Sequence, residues 1–358
     1  MKKPFKSIVM FSSLKVTIIS IVLIATFSSC KKDKDDATTT PPSTDINYPA
    51  AYVINGGGNS ISIINLNTEA VSRTINLNMA MYPHHVYQNA AKTKIAVAVP
   101  GMDLSAGHNV NTTGMTGEFR VLDAVTGSNL KTQSLPMMNH NAVFSPDGTE
   151  IWTSQMDSMG TVLVYDAVNY TLKNTIPVGM MPAEVTFSSD GSMAFVANGM
   201  DNTVNAINPS TKSVMTTIPV GMEPVGAWAG SDNKMYVDNE GGQSITVIDV
   251  MTMAVTDSIN LGFMPGMASY NGTMNELWVS DPDNGKVHWW TWDAGMNMYM
   301  HGGALATGAG AHAIAFNGMK AYITNQMAAT VSVVDVMSHS KTKDITVGNK
   351  PNGIVIKN

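Results

Sequence analysis

Cysteine is almost absent: Cys30 is the only one in 358 residues. It precedes everything that reads as folded sequence, so the domain has no disulfide, thiolate metal site or cysteine nucleophile. Charge is sparse, with Asp, Glu, Lys and Arg at 13% of the chain against about a quarter in an ordinary domain. The balance is acidic, formally −6, and no basic cluster occurs. That excludes nucleic acid as a partner. No apolar run is long enough for a membrane-spanning helix; the one candidate, Val16 to Phe27, is too short. Catalytic signatures are missing as well: there is no G-x-S-x-G, no H-E-x-x-H and no phosphate-binding glycine loop.

What the chain does contain is a phrase of about forty residues, repeated seven times. Its clearest copy starts at Pro182 and restarts at Pro224. The anchors are Pro83, Met138, Pro182, Pro224, Pro265, Gly310 and Pro351, spaced by 55, 44, 42, 41, 45 and 41 residues. Each copy holds four short runs rich in Val, Ile, Thr and aromatics, separated by Gly, Asn, Asp, Pro or Ser. Four strands per repeat predict a propeller blade, since one such sheet cannot bury both faces alone. The domain opens at Tyr52 on a second strand and ends at Pro351–Ile356 on a first strand. The last strand is therefore expected to complete the first blade, leaving no free edge between the chain ends. The predicted fold is all-β, a seven-bladed β-propeller over residues 47–358.

The wording of the repeat resembles the YVTN family of seven-bladed propellers. Ala321-Tyr322-Ile323-Thr324-Asn325 followed by Thr330-Val331-Ser332-Val333-Val334-Asp335 carries the likeness, as do Ser244–Asp249 and Thr175–Gly179. The resemblance covers roughly residues 50–358 and speaks to fold; such scaffolds host many activities.

Ahead of the repeats, Lys2, Lys3, Lys6 and Lys15 precede the apolar run, and Ser28-Ser29-Cys30 follows it. This reads as a secretory signal over residues 1–29. Phe27–Cys30 resembles a bacterial lipobox, which makes Cys30 the expected lipidation site and the membrane an expected partner through that anchor. Residues 30–46 are polar and Pro/Thr-rich, as a flexible tether is. Their charged start resembles the surface-export signal of Bacteroidetes lipoproteins; a plain solvated spacer reads equally well. The expected location is the cell envelope, on the periplasmic face of the outer membrane or the cell surface. Losing residues 1–29 removes four of 21 basic residues and none of the 27 acidic ones, leaving −10. Such a domain suits cations better than anions.

In propellers, first strands line the channel, and the loops entering them share one face with the loops between second and third strands. The position two residues after each anchor reads His85, His140, Glu184, Gly226, Met267, His312 and Gly353 around the ring. Three of eight histidines thus fall on one equivalent position, with His84 adjacent. Imidazole and carboxylate form an ordinary ligand set for zinc, copper or iron. Alternatively, these groups are polar channel lining. Met is abundant, at 28 residues, and 14 of the 26 that follow residue 29 fall in loops of that one face, among them Met79, Met102, Met115, Met156, Met200 and Met327. Soft thioethers favour Cu(I), and they also serve as adaptable docking surface. The insertion from Pro100 to Gly117 reads as a lid carrying His108, or else as a disordered loop. The paired His84-His85 is similar to the multi-histidine copper site of nitrous oxide reductase propellers, but too few histidines and no cupredoxin domain accompany it. In blade 6, Lys286, His288, Trp290 and Trp292 share one face of a strand, where core packing is expected.

The expectation is therefore a monomeric, lipid-anchored binding module. Its metal site, copper first, has His85, His140 and His312 as core ligands, His84, Glu184 and His108 as additions, and Met267 as a soft ligand. The alternatives are a scaffold docking an envelope protein on its Met-rich face, and a metal-dependent oxidoreductase or lyase using the same funnel.

Overall fold

A computed structural model describes residues 44–105, 107–108 and 111–358. The signal segment, Cys30 and most of the tether lie outside the described residues. None of the described helices is long and apolar enough to cross a membrane.

Seven four-stranded antiparallel sheets form the blades of the propeller, and strand β28 (Pro351–Lys357) pairs with β1 (Ala50–Asn55). The register Ala50↔Lys357 through Asn55↔Pro351 joins the first and last strands in one blade, as the phase of the repeat predicts. Edges that would otherwise invite foreign strands are thereby paired.

Burial follows position within each blade. The second strand of blade 3, β9 (Glu150–Gln155), is buried throughout, whereas the outermost strand of blade 7, β27 (Ser340–Thr346), buries only Ile345. Between neighbouring blades the β-branched side chains interlock. Tyr52, Ile54 and Ile63 of blade 1 pack with Ile95, Val97 and Leu122 of blade 2, and Val53 and Ile64 pack with Tyr322 and Val331 of blade 7. Each such side chain stabilises by about 1.5–3 kcal/mol relative to exposure.

A second, polar device sets the spacing of the blades. Asn55, Asn198, Asn239 and Asn325 end their second strands and are fully buried. Each donates from its side-chain amide to hydroxyl or amide oxygens on the third strand, as Asn239 does to Ser244 and Thr246 at 3.2 and 3.0 Å. The glycine just after the preceding blade's fourth strand (Gly179, Gly221, Gly308 or Gly348) sits against that amide. A Cβ on Gly221 would lie 2.5 Å from the Asn239 side chain, and one on Gly348 the same distance from Asn55. The recurring Gly and Asn are thus two halves of one blade-to-blade contact.

Candidate metal centre

The channel mouth is built by the first strands and the residues just before them. His84 and His85 precede β4 (Val86–Gln88) and are fixed by backbone bonds to β5 (Lys94–Val99): His84 N donates to Ala98 O at 2.9 Å, and Ala98 N to His85 O at 3.1 Å. On the other side, Gly353 N donates to His84 O at 3.1 Å. A Cβ there would lie 2.8 Å from the His85 Cα, so only glycine lets β28 approach this closely. His140 comes from blade 3, Glu184 from β12 (Pro182–Phe187) and His312 from β24 (Ala311–Asn317). All five side chains are buried.

His84, His85 and His140 each offer a ligand atom, all within 4.8 Å of one another. Their ring centroids lie 4.3 to 4.9 Å apart, and His312 stands 6.0 and 5.9 Å from His84 and His85. Glu184 sits behind two of the rings. Its Oε1 is 3.0 Å from His85 Nε2 and 2.8 Å from His140 Nδ1. Its Oε2 accepts from the Tyr87 hydroxyl at 2.9 Å and from the Asn141 amide at 3.3 Å. With their hydrogens on this carboxylate, His85 is left with Nδ1 as its lone pair and His140 with Nε2, the arrangement in which a carboxylate orients imidazoles.

His84 is the outlier. Both of its ring nitrogens are buried and neither has a hydrogen-bond partner; His312 Nδ1 is in the same state. An unbonded buried polar atom costs about 1–3 kcal/mol. An ion would take the lone pair of one His84 nitrogen, and the donor set of neutral imidazoles fits a transition metal.

Burial holds His84 and His140 well below the ordinary imidazole range, and takes His85 and His312 down to about 3. His108 goes the other way. Burial pulls it down, but the Glu240 carboxylate, 2.9 Å from its Nδ1, raises it above the ordinary value. Its Nε2 lies 2.6 Å from His140 Nε2, a spacing that requires a shared proton. When protonated, His108 donates to both neighbours, and its Nε2 proton then stands where a metal would bind His140.

The insertion closes over the mouth and brings His108 into the cluster. It is pinned by the ion pair of Asp103 with Lys350, by Lys350 to Ser105 at 3.2 Å, and by Met102, Leu104 and Met115 packed with Met138 and Met156. The methionines therefore divide. Met138 and Met156 are buried beneath the insertion, while Met79, Met159 and Met327 are 95%, 79% and 69% exposed. Beside His108 and Glu240 opens a cavity of about 240 Å³ lined by Met156, Met181, Met200 and Met222. Met267 takes a different place, packed against the apolar cluster of Trp228, Tyr236 and Leu277.

Three residues of the mouth escape the ring comparison at first strands. The space over Gly226 is filled by the Trp228 indole, which a Cβ on Gly226 would meet at 2.6 Å. Trp228 Nε1 donates to Asp238 Oδ1 at 2.6 Å, and the other Asp238 oxygen is buried without a partner. Burial and then Glu240 raise the Asp238 carboxyl well above its ordinary range. Glu240 follows the second strand of blade 5, β17 (Lys234–Asn239). The equivalent position around the ring reads Gly56, Pro100, Met156, Gly199, Glu240, Pro282 and Gln326, so a second ring comparison would have found it.

No family model matches the chain, and no curated protein matches it. Solved structures match along most of its length. The periplasmic gluconolactonase of Pseudomonas aeruginosa superposes with a TM-score of 0.69 at 14% identity, over 87% of this chain and 99% of that one. A Bacteroides fragilis protein assigned as a 6-phosphogluconolactonase gives 0.66 at 14% identity, over 89% and 100%. Hydrazine synthase of Kuenenia stuttgartiensis gives 0.63 at 16% identity, over 76% and 88%. At these identities the likeness is one of fold.

Proposed function

We propose that this propeller is an envelope protein that binds a transition metal at its channel mouth, copper first. His84, His85 and His140 hold the ion, His108 and His312 flank it, and Glu184 orients two of the rings. The observation that carries this reading is His84: a buried imidazole with two unbonded nitrogens, inside a group whose ligand atoms lie within 4.8 Å. What supports copper over zinc is the thioether-lined cavity beside His108, since soft sulfur suits Cu(I) and imidazole suits both copper states. The acidic domain agrees with a cationic ligand. We further propose lipidation at Cys30 as the anchor, so that Cys30→Ser moves the protein from the membrane fraction to the soluble fraction.

The test is metal content. The variant His84→Ala/His140→Ala should retain less than a tenth of the copper that the parent holds after desalting, with an unchanged circular dichroism spectrum. Copper retained at the parent level in a folded variant overturns the ligand assignment.

The exposed rim of Met79, Met159 and Met327 favours a second reading, a docking face for an envelope protein. In that case Gln at these three positions abolishes capture of the partner and leaves copper content untouched.

A further inference from the structure

Outside the channel mouth, the strongest grouping of ligand atoms lies on blade 6. There β22 (Lys286–Asp293) pairs with β23 (Met298–Ala306). The register runs regularly to Trp289↔Gly303, then skips Gly302 and resumes at Trp290↔His301. This bulge turns His301 toward His288 on the neighbouring strand, and bulges commonly re-aim a side chain in this way. Glycine is required at the bulge. A Cβ on Gly302 or Gly303 would meet the Trp289 indole at 2.3 or 2.6 Å, and Gly303 has φ +156°.

The outcome is that His288 Nδ1 and His301 Nε2 lie 3.2 Å apart. The far side of His288 is held by a carboxylate, with Nε2 3.3 Å from Asp281 Oδ2. Asp281 is buried, and both of its oxygens accept from the Asn284 amide, at 3.0 and 2.9 Å. An ionised carboxylate only accepts, so the neutral His288 ring carries its hydrogen on Nε2 and presents a lone pair at Nδ1. The ring is stacked on Phe263 at 4.5 Å and on Trp290 at 5.9 Å, which leaves the Nδ1 edge facing His301.

We propose that His288 and His301 form a second, surface site for a divalent transition-metal ion of the copper, nickel and zinc class, with Asp281 as the orienting carboxylate. The spacing is the argument. Two nitrogens bound at about 2.0–2.1 Å subtend roughly 2.9 Å at a right angle and about 3.3 Å at a tetrahedral one. The observed 3.2 Å falls within that range, so an ion enters with little side-chain movement. A carboxylate behind a ligating imidazole is the ordinary support for such a site. His301 is exposed, and water completes the coordination. Two ligands make this site weaker and faster to exchange than the channel centre, and it shares no residue with that centre.

The test is a Cu(II) titration of the full-length protein followed by tryptophan fluorescence, because Trp290 lies 5.1 Å from the His301 ring. The expected result is a second, weaker equivalent that quenches fluorescence. His301→Ala should lose that equivalent and its quenching while keeping the first. Asp281→Asn should weaken it by about 10–100-fold. The variant His84→Ala/His140→Ala should lose the tight equivalent and keep the weak one, so the two sites fail independently. If His301→Ala gives the same isotherm and quenching as the parent, or the parent shows no second equivalent, the two rings are only hydrogen-bonded and the proposal is wrong.

Discussion

Among single residues, His108 is the one that would make metal binding at the proposed centre depend on pH. Its pKa, which Glu240 raises against the pull of burial, favours the protonated ring more than in free imidazole. Metal binding at His140 must displace that proton. Below the raised pKa the affinity should therefore climb by about tenfold per pH unit, one proton being released per ion. Glu240→Gln removes the charge that holds the proton, so the slope should flatten and affinity at neutral pH should rise; a competition titration across pH 6 to 8.5 reads both. An unaltered slope in the variant would separate His108 from the metal. Gly353 acts through geometry. Gly353→Ala drives a Cβ to 2.8 Å from the His85 Cα and 2.9 Å from the His84 carbonyl, so it should lower metal affinity at least tenfold and stability by about 1–3 kcal/mol, both read on the purified variant. At this scale the sequence was partly legible. One ring comparison found His85, His140, Glu184 and His312. It gave no means to see that Glu184 sits behind the His85 and His140 rings, because that depends on rotamers. Trp228 was hidden because Gly226 looks like an empty position until the indole is seen lying over it.

Strands and loops were read more fully. Four strands per repeat, the seven copies and the closing strand β28 all follow from turn chemistry and phase, which are local properties of the chain. What the repeat did not disclose is why Gly and Asn recur in it, since the two partners belong to different blades. The contact between Gly221 and Asn239 gives a prediction. Asn239 is fully buried and held by Ser244 and Thr246, so it cannot yield to a methyl group 2.5 Å away. Gly221→Ala should cost about 1–3 kcal/mol in chemical denaturation, whereas Gly262→Ala, where a Cβ meets nothing within 4 Å, should cost about 1 kcal/mol from its positive φ alone. Equal losses would remove the blade-spacing role. The insertion shows the other limit of the sequence. Its length and composition allowed a lid or a disordered loop, and the choice rests on distant partners: Lys350 for Asp103, and Glu240 and His140 for His108.

For the whole molecule, four neutral imidazoles concentrated at one end of the channel make the metal-free protein sensitive to acid. Burial lowers the folded pKa of His84, His85, His140 and His312 below the ordinary 6.5, to about 3 for His85 and His312. Between about 3 and 6.5 the unfolded chain takes up protons that the fold refuses, so stability falls as pH falls. Glu184 and Asp238 act oppositely, since burial raises their carboxyls and the fold keeps protons that the unfolded chain gives up above about 4. His108, which Glu240 raises, acts in the same opposite sense, and four groups against three leave the sign unchanged. The metal-free protein should melt at a lower temperature at pH 4.5 than at pH 7; an equal or higher midpoint in acid would mean that the imidazoles are not held neutral. Bound metal should raise the midpoint at pH 7, because only the folded cluster assembles the ligands. The central claim is that this cluster holds an ion, and elemental analysis after loading and desalting addresses it most directly. Protein prepared without a chelating tag and incubated with Cu(I), Cu(II) or Zn(II) in turn should retain about one tightly bound copper per chain. Retention of no metal from any of the three would contradict the account and leave the histidines as channel lining.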